Sequence, residues 1–483
     1  MIEAQAVVEE ALAAAAAGGA DGCSVLVGET SHADVRFAVN RTTTNGVRRD
    51  RSVTVITVVG GAVGTARRSG VVDVEAMVAA ALADARSAPA AEDAFVLVDG
   101  MTAARSGAAV AAASAAFGSP PPETDLSALG GVLSGLRGAF GRAESRGVTL
   151  AGFGEYGLST LYLGSSTGVR LSFTQPEGAL QVVGRTADGA VAAPVVATAW
   201  AGQGGADFAV LSFEEMETEI WRRLEWAGRA EAIALDAGRY EVILPPSAVA
   251  DMMGSLIFYG LGGQDAEDGR TVFSGAGGGT RVGESLSPVP FTLYSDPIEP
   301  GIECLPFVAH GSSSSDGSVF DNGLPLGRTE WISEGRLAHL RYHRAGAARS
   351  GVEATPYVDN LVLRADGDGA GAGPGATVDD MVARTERGLL LTCLWYIREV
   401  DPATLLLTGL TRDGVYLVEH GEVTGAVNNF RFNESPVDLL ARATEVGTPA
   451  RTLGRELGEY LNRTVMPPLR IPDFNMSSVS QAS

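Results

Sequence analysis

The sequence predicts an α+β fold: an N-terminal α/β part with a small antiparallel sheet, then a larger, mainly antiparallel C-terminal β domain. Three observations carry this. Helical periodicity and strand alternation interchange through residues 1–235. From residue 236 onward, helices become short, and strand runs punctuated by Gly and Asn-Gly turns dominate. The 483 residues also exceed a single core, since a domain takes about 150 residues. The expected division is an α+β domain over 1–100, a linker over 101–123, a middle α/β unit over 124–235 and a β-rich domain over 236–483.

Each element has a local reason. Glu3–Ala17 is an Ala-rich helix stopped by Gly18-Gly19. Cys23–Val27 and Asp34–Val39 alternate as strands, and Asn45-Gly46 is expected to turn the chain toward the strand Ser52–Val59. Gly60-Gly61 leads into Ala62–Arg67, and Asp73–Ala88 is a second helix. Ala103–Pro122, rich in Ala, Gly, Ser and Pro, is expected to be a linker or mobile loop. Thr124–Glu144 and Phe213–Ala232 are helical, and Leu150–Trp200 between them is expected to form short strands with Gly turns.

The next stretch organises the rest. Tyr240, Val242 and Leu244 alternate as a strand that Pro245-Pro246 end. Val249, Met252, Met253, Leu256, Ile257 and Gly260 then form one apolar helical stripe, stopped by Gly262 and Gly263. An acidic loop and the string TVFSG (Thr271–Gly275) follow. AGGGTRVGE is expected to be a flexible loop, Phe291–Tyr294 a strand, and Asp296–Gly317 irregular. Asn322-Gly323 and Glu334-Gly335 mark turns, Asp366–Pro374 a loop and Asp379–Arg387 a short helix. Leu389–Phe432 is expected to be a β-meander turning at Gly409, Asp413-Gly414 and Gly421, before a helix at Val437–Glu445 and a last strand.

Composition excludes several chemistries. The net charge of −22 argues against broad binding of nucleic acid or anionic membrane, which needs a basic footprint. All 36 basic residues are Arg, so neither a Schiff-base lysine nor a Walker A lysine is available. Cys23, Cys304 and Cys393 are far apart, as suits buried thiols in a reducing compartment. The N-terminal acids do not suit a signal peptide, and Leu389–Ile397 is too short to span a membrane, so a cytoplasmic location is expected.

The strand, helix, acidic loop and TVFSG segment resemble the core of the TldD/PmbA family. Asp321 and Trp331–Leu337 fit its later text, and LWYIREVDPATLLLTGLTRDGVYLVE and VNNFRFNESP look most like its TldE/PmbA branch. DGCSVLV, TTNGV and APAAED look actinobacterial. In the family's metal-bearing subunit this helix carries His-Glu-x-x-x-His and binds zinc, and a C-terminal Cys is the third ligand. The matching places here are Gly254, Ser255 and Tyr259; no His lies between His32 and His310, and Ala443–Tyr460 has no Cys. The resemblance therefore implies a TldE/PmbA-like subunit with no cofactor of its own, paired with a TldD-like chain that holds zinc. It implies an unfolded peptide or peptide-like biosynthetic intermediate as substrate. Family members mature a microcin, degrade an antitoxin or serve antibiotic pathways.

The other candidate sites have plainer readings. His339 and His343 have zincin spacing, but Leu340 stands where the essential Glu belongs, so two surface histidines are expected. His310 beside Ser312–Ser315 lacks a nucleophile elbow and is read as a polar loop. AGGGT lacks the lysine of a phosphate loop, and Cys393 belongs in an apolar strand. No catalytic or metal residue is assigned. Arg398, Asn428, Asn429 and Arg431 are candidates for contact with substrate or partner, against ordinary strand-edge polarity. Two rival functions stay open: a non-enzymatic homodimeric peptide-binding scaffold, and a stand-alone hydrolase using an unrecognised acid pair.

Overall fold

The computed structural model describes residues 3–100, 107–187, 197–229, 233–365 and 376–480. The first layer is one six-stranded antiparallel sheet, sheet A, ordered β3-β2-β1-β4-β5-β6. Its strands are β1 (Gly22–Ala38), β2 (Arg41–Val59), β3 (Ala62–Ser69), β4 (Val148–Ser165), β5 (Arg170–Thr186) and β6 (Thr198–Gly205). Helices α1 (Ala4–Ala17) and α2 (Val74–Ser87) cover one end of one face. Asp73 caps α2 by accepting the Ala76 N–H. A short helix, α3 (Ala108–Ala115), lies on the other face. Helices α4 (Gly130–Ser145) and α5 (Phe213–Gly228) cover the rest of the first face, where Val35, Phe37, Leu180 and Val182 meet Leu136, Met216 and Ile220.

Several expectations for this half are corrected. Residues 1–100 and 124–235 are not separate units: β1 pairs with β4 from Ser24↔Ser165 to Phe37↔Gly152, so one sheet joins them. Within the expected linker 101–123, residues 108–115 form α3, with Val110 and Ala113 buried. Gly, Ser and Pro mark a change of chain direction, and the ladder that closes across it is invisible locally. Asn45-Gly46 is not a turn; it lies inside β2, and the chain turns at Val39-Asn40, both at positive φ (51° and 58°). The Asn40 side chain fixes that turn by bonding the Val148 carbonyl and the Leu150 N–H. Leu150–Trp200 contains long strands, not short ones. Gly168 does turn the chain between β4 and β5, at φ 90°, but Gly164 and Gly184 are sites of close packing: a Cβ at Gly164 would lie 2.2 Å from Val8 Cγ1, and one at Gly184 2.5 Å from Ile220 Cγ2.

The second half holds two sheets around one helix. Sheet B has the order β10-β9-β8-β11-β20-β19, built from β8 (Phe291–Ser295), β9 (Thr329–Ser333), β10 (Arg336–Leu337), β11 (Leu361–Ala365), β19 (Ala450–Thr452) and β20 (Thr464–Met466). Sheet C runs β13-β14-β17-β21-β7-β12-β15-β16, with β18 on β21, built from β7 (Gly238–Leu244), β12 (Arg387–Leu391), β13 (Leu394–Asp401), β14 (Leu406–Thr411), β15 (Val415–Glu419), β16 (Glu422–Ala426), β17 (Phe430–Glu434), β18 (Glu445–Val446) and β21 (Leu469–Val479). Pairing between these strands is mainly antiparallel, and β7–β12 and β11–β20 pair in parallel. Helix α6 (Pro246–Ser255) leaves β7 (Gly238–Leu244) with Pro at its first turn and runs between the sheets. Its Val249, Met252 and Met253 pack with Phe291, Leu293 and Trp331 of sheet B and with Leu389, Phe430 and Phe474 of sheet C. The outer face of sheet C packs through Ile243, Leu390 and Tyr416 onto the core that contains α5. Sheet A thus packs toward sheet C through α4 and α5, and sheet C toward sheet B through α6, while Phe307, Val319 and Phe320 of the second half reach the other face of sheet A.

Gly409 is not a turn but sits in β14 (Leu406–Thr411), where a Cβ would meet the Phe432 ring at 2.4 Å. The chain does turn at Asp413-Gly414 and His420-Gly421, with positive φ at each. The expected loop Asp366–Pro374 lies outside the described residues. No helix among the described residues is long and apolar enough to cross a membrane.

Candidate functional site

Helix α6 and the turn after it carry the positions that the resemblance marks for metal ligands. After Ser255 the helix continues as one π-helical turn, Leu256–Gly260. Such turns often occur at functional sites. Gly254 faces Leu457 and Leu461, and a Cβ on it would stand 2.8 Å from Leu457 Cδ1. The Ser255 hydroxyl donates to the Asp251 carbonyl one turn back. Tyr259 is exposed at the end of the turn.

Asp251, the one charged residue in 246–260, sits on this helix fully buried. Its carboxylate accepts the backbone N–H groups of Arg455, Glu456 and Leu457 at 2.9, 3.0 and 3.0 Å. Burial pushes its carboxyl up to about 7, against the opposing pull of those three N–H donors. Gly454 is required beside it, because a Cβ there would lie 2.4 Å from Asp251 Oδ1. The carboxylate thereby straps residues 453–461 across α6.

That strap reaches both ways. Arg455 donates to Gln181 Oε1 of sheet A (2.9 Å) and lies over the rings of Trp395 and Trp200 (4.5 and 5.4 Å). Trp200 Nε1 donates to the same Gln181 oxygen. On the other side Glu456 accepts the Tyr396 N–H and the Arg398 guanidinium. Apart from Arg398, these residues were not singled out in the sequence. Asp251 alone left a local signal, as an acid within an apolar helix.

The face of sheet A opposite α4 and α5 turns a polar stretch toward this strap. The ladder aligns His32, Asp34 and Arg48 with Glu155, Gln175 and Glu177 on one side of the sheet. Gln181 and Arg455 bound this polar trough at one end, with Arg463 bonding Glu177 there. At the other end Phe307, Val319 and Phe320 cover Leu26, Ile56 and Leu163. His32 Nε2 lies 3.7 Å from Glu155. Burial, with Glu177 nearby, raises the Glu155 carboxyl, and burial lowers His32.

The sequence candidates fall elsewhere. Arg398 is exposed on β13 (Leu394–Asp401), bonded to Glu456 and over the Tyr396 ring. Arg431 of β17 (Phe430–Glu434) donates to Thr408, the residue opposite Arg398. Asn428 accepts the Leu235 N–H and so holds the chain entering β7, while Asn429 accepts from Thr411. The structure brings the two arginines together around Thr408, ties Asn428 to the backbone at Leu235 and ties Asn429 to the Thr411 hydroxyl. His343 is not a surface residue: it is 4 % exposed and caps α7 (Arg344–Ser350) by accepting the Gly346 N–H, which turns it away from any pair with exposed His339. Ser313 and Ser318 both donate to Asp93 and not to His310. Cys393 is buried.

Residues 237–478 match the PmbA/TldA metallopeptidase C-terminal domain. The chain belongs to the TldD/PmbA family. TldE from Thermococcus kodakarensis has the same fold, with a TM-score of 0.76 at 15% identity over 97% of this chain and 99% of that one. Candidate modulators of DNA gyrase from Thermotoga maritima and Bacteroides thetaiotaomicron give TM-scores of 0.73 and 0.74, each at 15% identity over 98% of this chain and 99% of theirs. No curated protein matches the chain in sequence. Within this TldD/PmbA fold a zinc ion does not fit α6. Gly254 offers no donor, its face is filled by leucines, and no described group of three or more His, Cys, Asp or Glu could hold a metal.

Proposed function

We propose that this chain is the metal-free subunit of a two-chain TldD/PmbA-type metallopeptidase, paired with a TldD-like chain that supplies zinc. The zinc and the partner's glutamate activate the hydrolytic water. This chain is not catalytic by itself. It shapes a narrow chamber that takes an unfolded peptide, or a peptide-like biosynthetic intermediate, as an extended strand in the cytoplasm. The trough of sheet A, with Gln181 and Arg455 at its end, is the wall it contributes. One observation carries the reading: the places for His-Glu-x-x-x-His hold Gly254, Ser255 and Tyr259, and Leu457 and Leu461 close over the first of them.

The test is a purification of tagged chain, alone and co-expressed with a TldD-like protein of the same source. Zinc content and cleavage of an unfolded peptide are measured on both. Zinc and turnover are expected only in the mixed complex. Stoichiometric zinc or cleavage by the chain alone would sink the reading, and His339 and His343 would be the first residues to mutate.

A further inference from the structure

Sheet A and sheet C end in different kinds of edge. On β13 the edge is blunted: Glu456 accepts the Tyr396 N–H, and Arg398 donates to the Ile397 carbonyl. On β2 it is open. β3 covers β2 only from Ser52 upward, and the Gly70 N–H reaches the Arg51 carbonyl just past that point. The Thr30 hydroxyl meets the Asp50 carbonyl from the β1 side. Alternation along the strand therefore aims the N–H and C=O of Asn45, Val47 and Arg49 away from β1, where no strand follows among the described residues. Residues 41–50 are exposed there, apart from half-buried Gly46.

The same edge is basic. From Arg36 to Arg68 the chain has seven Arg and one acid, Asp50, in a protein of net charge −22. Arg48, Arg49 and Arg51 pair with Asp50, Glu123 and Glu29, while Arg41, Arg67 and Arg68 are exposed beside them. A groove of about 580 Å³ adjoins the point where β3 stops, lined in part by Arg49, Arg51, Gly70 and Pro121.

We propose that the Arg41–Arg51 edge of sheet A docks an extended acidic segment of another polypeptide as an added antiparallel strand. The outward backbone groups supply the ladder, and acidic side chains opposite Arg48 and Arg49 supply selectivity. A second copy of this chain offers the same arginine-rich edge, and like charges facing across a ladder disfavour it. The inference rests on the edge alone and is independent of the zinc partner.

The experiment uses the full chain and three labelled probes read by anisotropy: an eight-residue peptide alternating Glu with Val, the same peptide with Lys for Glu, and single-stranded DNA. Val47→Pro removes an outward N–H and spares the β1 ladder; Arg49→Glu reverses one charge. The Glu peptide is expected to bind saturably, the Lys peptide not at all, and each variant to bind the Glu peptide at least tenfold more weakly with an unchanged far-UV spectrum. Absence of saturation, or wild-type affinity in both variants, overturns the proposal. So does DNA binding lost in Arg49→Glu but kept in Val47→Pro, which would mark a simple polyanion site.

Discussion

The strap over α6 and the trough on sheet A both gather charged groups, yet they treat them oppositely. Asp251 is completely buried and its oxygens meet three N–H donors, so its chemistry is absorbed by the fold. Glu155 and His32 are half-buried, 3.7 Å apart, and pushed in opposite directions by burial. The difference teaches where function can sit in this chain. At the helix that carries ligands in the family's zinc subunit, polar groups are committed to holding the backbone. Available polar groups lie one layer away.

Removing the strap's anchor should have the largest effect. Asp251→Ala removes the acceptor of three N–H groups on half-buried residues, and an unpaired buried group costs about 1–3 kcal/mol. Urea denaturation should show a loss of several kcal/mol; a change under about 1 kcal/mol would mean the strap is held by its leucines instead. Asp251→Asn should lose less. It should also alter the pH profile. The native carboxyl is raised from 3.8 to about 7, so its contribution is present below 3.8 and lost as pH rises through about 7. The Asn variant should lack that decline.

Rebuilding the ligands comes next. The triple variant G254H/S255E/Y259H should be destabilised by about 1–3 kcal/mol, because Leu457 occupies the space its first imidazole needs. Calorimetric titration should show no tight zinc site. Stoichiometric zinc in this variant would contradict the view of α6 as a closed, apolar position.

Smaller effects test the trough. Glu155 is raised, so its contribution is present below its ordinary value near 4.5 and is lost as pH rises. Glu155→Gln should slightly stabilise the chain at neutral pH and flatten thermal stability above pH 5, by well under 1 kcal/mol after solvent screening. A variant less stable than the parent at pH 7 would show that the His32 contact outweighs burial. Last, Arg398→Ala should change stability by about 0–1 kcal/mol, since the arginine end of its ion pair with Glu456 is exposed. A larger loss by urea denaturation would make it part of the strap.

Much of this arrangement was legible locally. The proline-opened helix, its apolar stripe and the missing histidines are all present in the text of residues 239–275. Turn chemistry at Asn322-Gly323 and Glu334-Gly335 also survives folding, with positive φ at Gly323, Glu334 and Gly335. Asn45-Gly46 misleads for a physical reason: a turn dipeptide is also tolerated in a strand, and the tie from Asn40 to Val148 and Leu150 places the turn earlier. Gly409, read as a turn, proved to be a contact, as did Gly164 and Gly184 within the long strands, since closeness to Phe432, Val8 and Ile220 is not encoded nearby.

By itself, the sequence determined the fold class, the course of the β7–α6 segment, and the absence of two imidazoles from it. These depend on periodicity, on proline and glycine geometry, and on residue identity. Tertiary structure alone decided that residues on either side of 101–123 share one sheet, that Asp251 captures a strap some two hundred residues later, and that β2 outruns β3. Each follows from which backbone groups find partners across long stretches of chain, and no local pattern carries that information.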